Sequence, residues 1–323
     1  MGNSFIGKRV LVTGSGGYIG GRLVRALGGL KSVDRIVGID VKAPEFDHPK
    51  FRSYKRDIRE PLDDIFVDER IDTLFHLCWI LPPLHSKRLM EDINIGGTKN
   101  VLGAASRCGV KYLLYTSSTT AYGFHPDNDF PLTEESAIRG NEDFTYSKNK
   151  REVEGIMTEF IAENRGIKVA ILRPCFVVGS GFDNPLAKHL SRKLVIMSSV
   201  SSPFQYVHED DLIDIMLLFF RREIAGIYNV SGKGTMTFDE MVRMLGNIPI
   251  HLPPRLLYLL NGLSWRLRLA FLTEFPSAAL NLMIYPWVAT SEKLIFETGY
   301  SFEHDTVSAF EDFVRHVKGK KRG

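Results

Sequence analysis

Tyr146 and Lys150 stand four residues apart in TYSKNK (145–150), and on a helix that spacing brings two side chains onto one face. Together they could handle a proton. A phenol with an ordinary pKa near 10 is a poor base at neutral pH, and lowering it by about three units takes roughly 4 kcal/mol of preferential stabilisation of the phenolate. A neighbouring ammonium acts in that direction. A hydroxyl donating to the same substrate oxygen would complete the centre, and YTSSTTAYG (115–123) places Ser117, Ser118, Thr119 and Thr120 in a row after an apolar run. Tyr-x-x-x-Lys is common by chance and hydroxyl-rich loops are ordinary, so the surrounding elements must decide.

A second constellation opens the chain. TGSGGYIG (13–20) follows the strand-like run KRVLVT (8–13) and leads into a helical spacing of Ile19, Leu23 and Leu27. Gly14 permits a tight turn, Gly17 lets a pyrophosphate approach the backbone, and Gly20 lets the helix lie close to the sheet. The helix then opens at Tyr18 and Ile19 with its N-terminus toward the anion. This order of strand, turn and helix predicts a dinucleotide site. Asp40 closes the next run, RIVGID (35–40), twenty residues past Gly20, where a carboxylate accepts ribose hydroxyls and repels a 2′-phosphate. Val41, and not arginine, follows it, so NAD is expected over NADP. Asp57 in KRDIRE (55–60) follows a third strand and reads equally as an adenine contact or as a surface charge.

Further apolar runs, TLFHLC (73–78), KYLLYT (111–116) and KVAILRP (168–174), have the continuous character of strands buried on both faces. Helical spacing separates them, as at Val153, Met157 and Ile161, and Gly109 ends one such stretch as a cap. The alternation predicts an α/β fold with a doubly wound parallel sheet of the Rossmann type. After about residue 180 the rhythm changes, with SSVSSPFQYVHEDD, a helix near 211–221 and a late strand in GIYNVSG. Residues 1–180 are therefore expected to form mainly the NAD-binding domain with its reactive groups, and 181–323 mainly a smaller substrate-binding lobe, with the chain free to interleave.

The 323 residues are 44 % hydrophobic and carry 41 Lys and Arg against 38 Asp and Glu, an ordinary globular balance. Basic residues are dispersed, apart from Lys318, Lys320, Lys321 and Arg322 at the end, so no nucleic-acid partner is expected. Three unevenly spaced cysteines, Cys78, Cys108 and Cys175, make no disulfide framework, and no metal site is expected. The N-terminus lacks the order of a secretory signal, and Gly2 lacks the Ser or Thr at position 6 that an acylation start requires, Ile6 standing there. These features place the chain in the cytoplasm. PPRLLYLLNGLSWRLRLAFL (253–272) is apolar but carries Arg255, Arg266 and Arg268, which suits a packed helix or a peripheral membrane contact beside Trp265 better than a span.

In this order the motifs resemble the extended short-chain dehydrogenase/reductase family of NAD-dependent epimerases and dehydratases. The resemblance rests on TGSGGYIG, the Asp57-Ile58-Arg59 step, HLCW (76–79) in place of His-Leu-Ala-Ala, NIGGTKNVL, SSTTAYG, YSKNK, LRPCFVVG and FQYVHEDDL. It implies Ser118 as the catalytic hydroxyl, Tyr146 as acid/base and Lys150 as its activator, with hydride transfer at a carbinol carbon. It also implies Asp57 and Ile58 at the adenine, Leu77 and Cys78 along the cofactor, Pro174 behind the nicotinamide, and a homodimer through helices near 92–108 and 146–164. Three departures follow. Thr119 and Thr120 stand where family dehydratases carry an acidic pair, which disfavours dehydration. Phe204 stands where nucleotide-sugar members carry an arginine on the sugar diphosphate, and PWVATSEK offers no clear second arginine, which leaves other residues, such as Arg192 or Lys193, to replace them. Trp79, where the family has alanine, reads either as an apolar substrate wall or as core. The resemblance leads to hydride transfer within the epimerase/dehydratase family, with 4-epimerisation of a nucleotide sugar such as UDP-glucose as its broad form. A net dehydrogenase of an apolar alcohol, resembling 3β-hydroxysteroid and sterol members, is the alternative, and a non-enzymatic NAD-binding scaffold is the third.

Overall fold

Strands form where the apolar runs fall. The computed structural model describes residues 7–42, 44, 46–81, 83–269 and 272–320. The Gly2 start and its Ile6, Lys321 and Arg322 of the basic end, and Ala270 and Phe271 of the 253–272 segment lie outside the described residues. The strands are β1 (Lys8–Thr13), β2 (Val33–Asp40), β3 (Phe51–Lys55), β4 (Thr73–His76), β5 (Tyr112–Thr116), β6 (Lys168–Pro174), β7 (Phe176–Val178), β8 (Leu194–Ser198), β9 (Tyr206–His208), β10 (Gly226–Val230) and β11 (Ile248–Leu252). The helices are α1 (Tyr18–Gly28), α2 (Asp63–Asp68), α3 (Lys87–Glu91), α4 (Gly97–Arg107), α5 (Thr145–Glu163), α6 (Pro185–Leu190), α7 (Glu209–Arg222), α8 (Phe238–Met244), α9 (Pro254–Arg266), α10 (Asn281–Ile284), α11 (Glu292–Thr298) and α12 (Thr306–Lys320).

Seven strands form one parallel sheet in the order β10-β6-β5-β4-β1-β2-β3. Successive side chains of a strand enter opposite faces. Val10 and Val12 of β1 accordingly pack into one buried cluster and Leu11 into the other. The sheet is thus covered on both faces, as the unbroken apolar runs require. β10 comes from the region after residue 180 yet lies beside β6, with Tyr228 opposite Leu172. Two small parallel ribbons, β7 with β9 and β8 with β11, stand apart from the main sheet.

Local chemistry sets the element ends that matter for the site. β4 stops at His76, short of the expected residue 78, because the Leu77 and Cys78 N–H groups turn to donate to Thr13 Oγ1 at 3.2 and 3.3 Å. This bends the chain over Gly14, whose φ is +74° and where a Cβ would lie 2.8 Å from the Cys78 backbone. α7 carries Glu209, Asp210 and Asp211 in its first turn and Arg221 and Arg222 in its last, each sign placed where the helix dipole favours it.

Candidate active site

The C-terminal edge of a parallel sheet collects strand ends and helix N-termini, and the main cavity, of about 350 Å³, opens there. The turn after β1 forms one side. α1 starts at Tyr18 with no side-chain cap and no acidic residue in its first turn, so its first N–H groups are left for an anion. Space beside them is kept by glycine: a Cβ on Gly20 would come within 2.0 Å of the Gly14 carbonyl oxygen. Gly14, Gly17, Tyr18, Ile19 and Gly20 all line the cavity. The Tyr18 hydroxyl donates to Glu209 at the start of α7, and burial together with that carboxylate raises its pKa. Glu209, itself buried, also accepts from Ser180 at 2.9 Å and pairs with Arg22 at 3.0 Å. The glycine turn is thereby tied to the first turn of α7.

The other side carries Ser118, Tyr146 and Lys150. Ser118 ends the β5 extension, its Oγ accepting from the Thr120 N–H at 3.2 Å. Tyr146 and Lys150 reach the same cavity from the first turns of α5. Burial pushes the Tyr146 phenol up to about 12, while the Ser118 and Thr120 hydroxyls facing it pull the other way. Burial likewise lowers the Lys150 amine to about 7, opposed by the Glu154 carboxylate one turn further along α5. The amine donates to the Thr116 carbonyl at 2.9 Å and lies 3.6 Å from the centroid of the Trp79 ring, within the range of a cation–π attraction. Trp79 meets Tyr146 edge-on at 6.0 Å. The buried Trp79 Nε1 and Thr116 Oγ1 find no protein partner among the described residues, and both residues line the cavity.

Of the residues singled out from the sequence, the cavity unites Gly14, Gly17, Tyr18, Ile19, Gly20, Leu77, Ser118, Tyr146, Lys150 and Pro174. Asp40, Asp57, Ile58 and Cys78 are not among its lining. Asp40 lies beside the glycine turn, accepting from the Gly16 N–H at 3.0 Å and the Lys42 N–H at 2.9 Å. Asp57 pairs with Arg59 at 2.7 Å, which lowers its pKa. Ile58 is buried beneath α4, where a Cβ on Gly97 would meet it at 2.5 Å. Cys78 contributes its backbone to the crossing over Gly14, and burial raises its thiol to about 12.

The outer wall is apolar. Phe176, Phe182, Phe275, Met283 and Trp287 face the cavity together with Leu81, Phe124 and Phe144. Among the described residues Lys150 is the only basic side chain in the lining and Asp183 the only acidic one. Phe204 does not reach the cavity; it is fully buried behind it, 6.1 Å from Phe176 and 5.7 Å from Trp287. Arg192 turns away to donate to the Leu272 carbonyl at 2.8 Å, and neither it nor Lys193 enters the lining. None of this wall was foreseen, least of all Phe176, Phe182, Phe275, Met283 and Trp287. They come from separate aperiodic stretches after residue 175, and no spacing in the sequence joins them.

A family model described as the NAD dependent epimerase/dehydratase family matches residues 10–231. An uncharacterized protein of Mycobacterium tuberculosis is 25 % identical over 317 residues, covering 95 % of this chain and 84 % of its own. A 3-beta-hydroxysteroid dehydrogenase of Mycolicibacterium neoaurum is 27 % identical over 224 residues, covering 62 % of this chain and 58 % of its own. In architecture the chain is similar to the UDP-glucose 4-epimerase of Thermotoga maritima with UDP-glucose, at a TM-score of 0.76 and 18 % identity, over 97 % of this chain and 99 % of that one.

Proposed function

Because the chain belongs to the NAD dependent epimerase/dehydratase family, and is thus an NAD-dependent enzyme of extended short-chain dehydrogenase/reductase type, we propose that it oxidises or reduces one secondary alcohol or ketone carbon of an apolar small molecule. One observation carries the choice of substrate: the space beyond Tyr146 is walled by aromatic and aliphatic side chains, with Lys150 its one cation among the described residues. A sugar diphosphate buried there would forgo charge-assisted hydrogen bonds worth about 1.5 to 3 kcal/mol each. The shared fold with a UDP-glucose 4-epimerase does not carry that substrate to this cavity.

In this reading Gly14, Gly17, Tyr18, Ile19 and Gly20 hold the pyrophosphate, Asp40 the adenosine ribose, Asp57 and Ile58 the adenine, Leu77 and Cys78 the length of the cofactor, and Pro174 the back of the nicotinamide. Bound NAD supplies the hydride acceptor or donor. Ser118 and Tyr146 fix the substrate oxygen, and Tyr146 gives or takes its proton. Lys150 steadies the phenol and reaches the nicotinamide ribose. Residues 1–180 mainly serve the cofactor and the proton, and 181–323 mainly shape the substrate pocket. The chain works in the cytoplasm, where its three free thiols stay reduced. It forms a dimer through α4 and α5; a clean monomer in sedimentation at micromolar concentration would refute that. Peripheral membrane contact through 253–272 belongs to the same reading, since apolar alcohols partition into bilayers. Among the described residues no helix is long and apolar enough to cross a membrane.

The test is NADH absorbance while the protein meets sterol and other secondary alcohols and, separately, sugar nucleotides. NADH accumulating with the alcohols supports the proposal. An epimerised sugar nucleotide without net NADH replaces it. The pH dependence has a defined sign: with the phenol raised toward 12, the base form is scarce at neutral pH, so alcohol oxidation should climb between about pH 6 and 9 whereas ketone reduction, which needs the phenol, should not. Trp79→Ala removes the surface against which the Lys150 amine rests and is expected to lower turnover about 2- to 30-fold, a cation–π contact being worth about 0.5 to 2 kcal/mol. Trp79→Phe should keep most of the rate; equal loss in both variants contradicts the role.

A further inference from the structure

The β8–β11 ribbon turns one face to solvent, and that face is aliphatic. Leu194 and Ile196 of β8 stand in register with Ile248 and Ile250 of β11, and the four are 53, 44, 52 and 37 % exposed. β11 leads directly into α9, which packs beside β8. α9 buries Leu257 alone and exposes Leu256, Leu259, Leu260 and Leu263, with Leu259 at 68 %. The exposed aliphatic side chains of the ribbon and of α9 therefore lie on neighbouring elements, more of them than scattered surface leucines account for.

Charge tells what it meets. Residues 184–208 and 241–273, which supply β8, β11, α9 and their flanks, contain no Asp or Glu but carry Lys188, Arg192, Lys193, Arg243, Arg255, Arg266 and Arg268. They hold +7, so with a chain total of +3 the remainder is −4; Lys188 and Arg243 pair with Glu274 and Asp239 just outside these stretches. Arg255, Arg266 and Arg268 are exposed and have no ion-pair partner among the described residues. Two copies meeting face to face would bring these cations together. An anionic lipid surface would neutralise them while taking up the leucines.

The same surface borders the catalytic cavity. Trp265 in the last turn of α9 and Arg268 just beyond it line a smaller cavity with His85, Thr273, Glu274, Pro83 and Pro185, and the last two also line the main one. Trp265 stacks on His85 at 4.0 Å. We propose that the outer face of β8, β11 and α9 docks on an anionic phospholipid bilayer, and that the Trp265–His85 contact marks the mouth through which a bilayer-dissolved alcohol enters. The mouth rests on the reading of the cavity as an apolar-alcohol site; the docking rests on the surface.

Cosedimentation of the full chain with vesicles tests it, comparing pure phosphatidylcholine with phosphatidylcholine containing about 30 % phosphatidylserine. Partitioning is expected onto the anionic vesicles, weakened by salt, and at least about tenfold lower in Leu259→Ser/Leu263→Ser and in Arg255→Glu/Arg266→Glu. All four positions are exposed, and none lies in the cavity's apolar wall or its proton-handling groups. Wild type and variants pelleting alike, or wild type remaining in solution with both vesicles, overturns the docking. So does a dimer that the leucine variant dissociates without vesicle binding. Turnover of a short water-soluble secondary alcohol without vesicles separates the two readings. If it proceeds equally in wild type and variants while vesicle binding fails, the docking alone falls. If vesicles bind and no alcohol is oxidised, the substrate reading falls and the mouth with it.

Discussion

Replacing Tyr146 by phenylalanine should lower NADH-linked turnover a hundredfold or more, about the contribution of a positioned general acid–base group. The ring stays, so its edge-on contact with Trp79 and its place against Phe144, 6.0 Å away, survive, and the loss reports the hydroxyl alone. Affinity for NAD should change by less than about threefold, because the glycine turn and Asp40 are untouched. A variant retaining more than about a tenth of the rate would remove Tyr146 from the proton step. If NAD binding fell with turnover, the defect would be structural, and near-ultraviolet circular dichroism would show it.

The second large effect is on stability. Arg173 on β6 and Glu154 on α5 form a buried pair, 3 and 5 % exposed, with Nε and Nη2 each donating to a carboxylate oxygen at 2.9 and 2.7 Å. Arg173 also donates to the Tyr122 hydroxyl, which donates in turn to Asn229 on β10, and Ser117 donates to Glu154 at 2.6 Å. Arg173→Met keeps the apolar stem but leaves a buried carboxylate without its cation, a loss of about 3 to 5 kcal/mol in comparable pairs. Urea unfolding followed by tryptophan fluorescence is expected to show it. Arg173→Met with Glu154→Leu should recover part of the loss, since the desolvated charge leaves as well. A single variant as stable as the wild type would mean that water reaches the pair. Glu154 also favours the charged form of Lys150, so the double variant should be folded yet slower.

What was legible in the sequence divides along local and non-local lines. The glycine turn, the alternating strands and the Tyr146–Lys150 face are set by contiguous residues, and periodicity reads them well. The end of β4 was misplaced by two residues because Thr13 Oγ1, distant in sequence, captures the N–H groups of Leu77 and Cys78. The aromatic wall was invisible for the same reason, since Phe176, Phe275 and Trp287 meet only after the chain has folded back on itself. Phe204, which the resemblance sets where an arginine is expected, is buried behind the wall in a packing role that no motif encodes. The apolar segment 253–272 was visible as composition; its helix covers only Pro254–Arg266, and the ribbon that widens its surface lies partly sixty residues earlier in the chain.

β10 carries one more consequence. It supplies the strand beside β6 from a point in the chain beyond the ribbon strand β8 and both partners of the β7–β9 pair. During synthesis the sheet therefore has an open margin at β6 until residue 230 is available. Val169 and Ile171, buried in the finished protein, belong to that margin, and an unpaired apolar edge templates association. A fragment cut at 180 would keep Ser118, Tyr146, Lys150 and the glycine turn, and yet emerge with its sheet unfinished. The strand that completes the sheet thus reaches it from well beyond the stretch that carries the glycine turn, Tyr146 and Lys150.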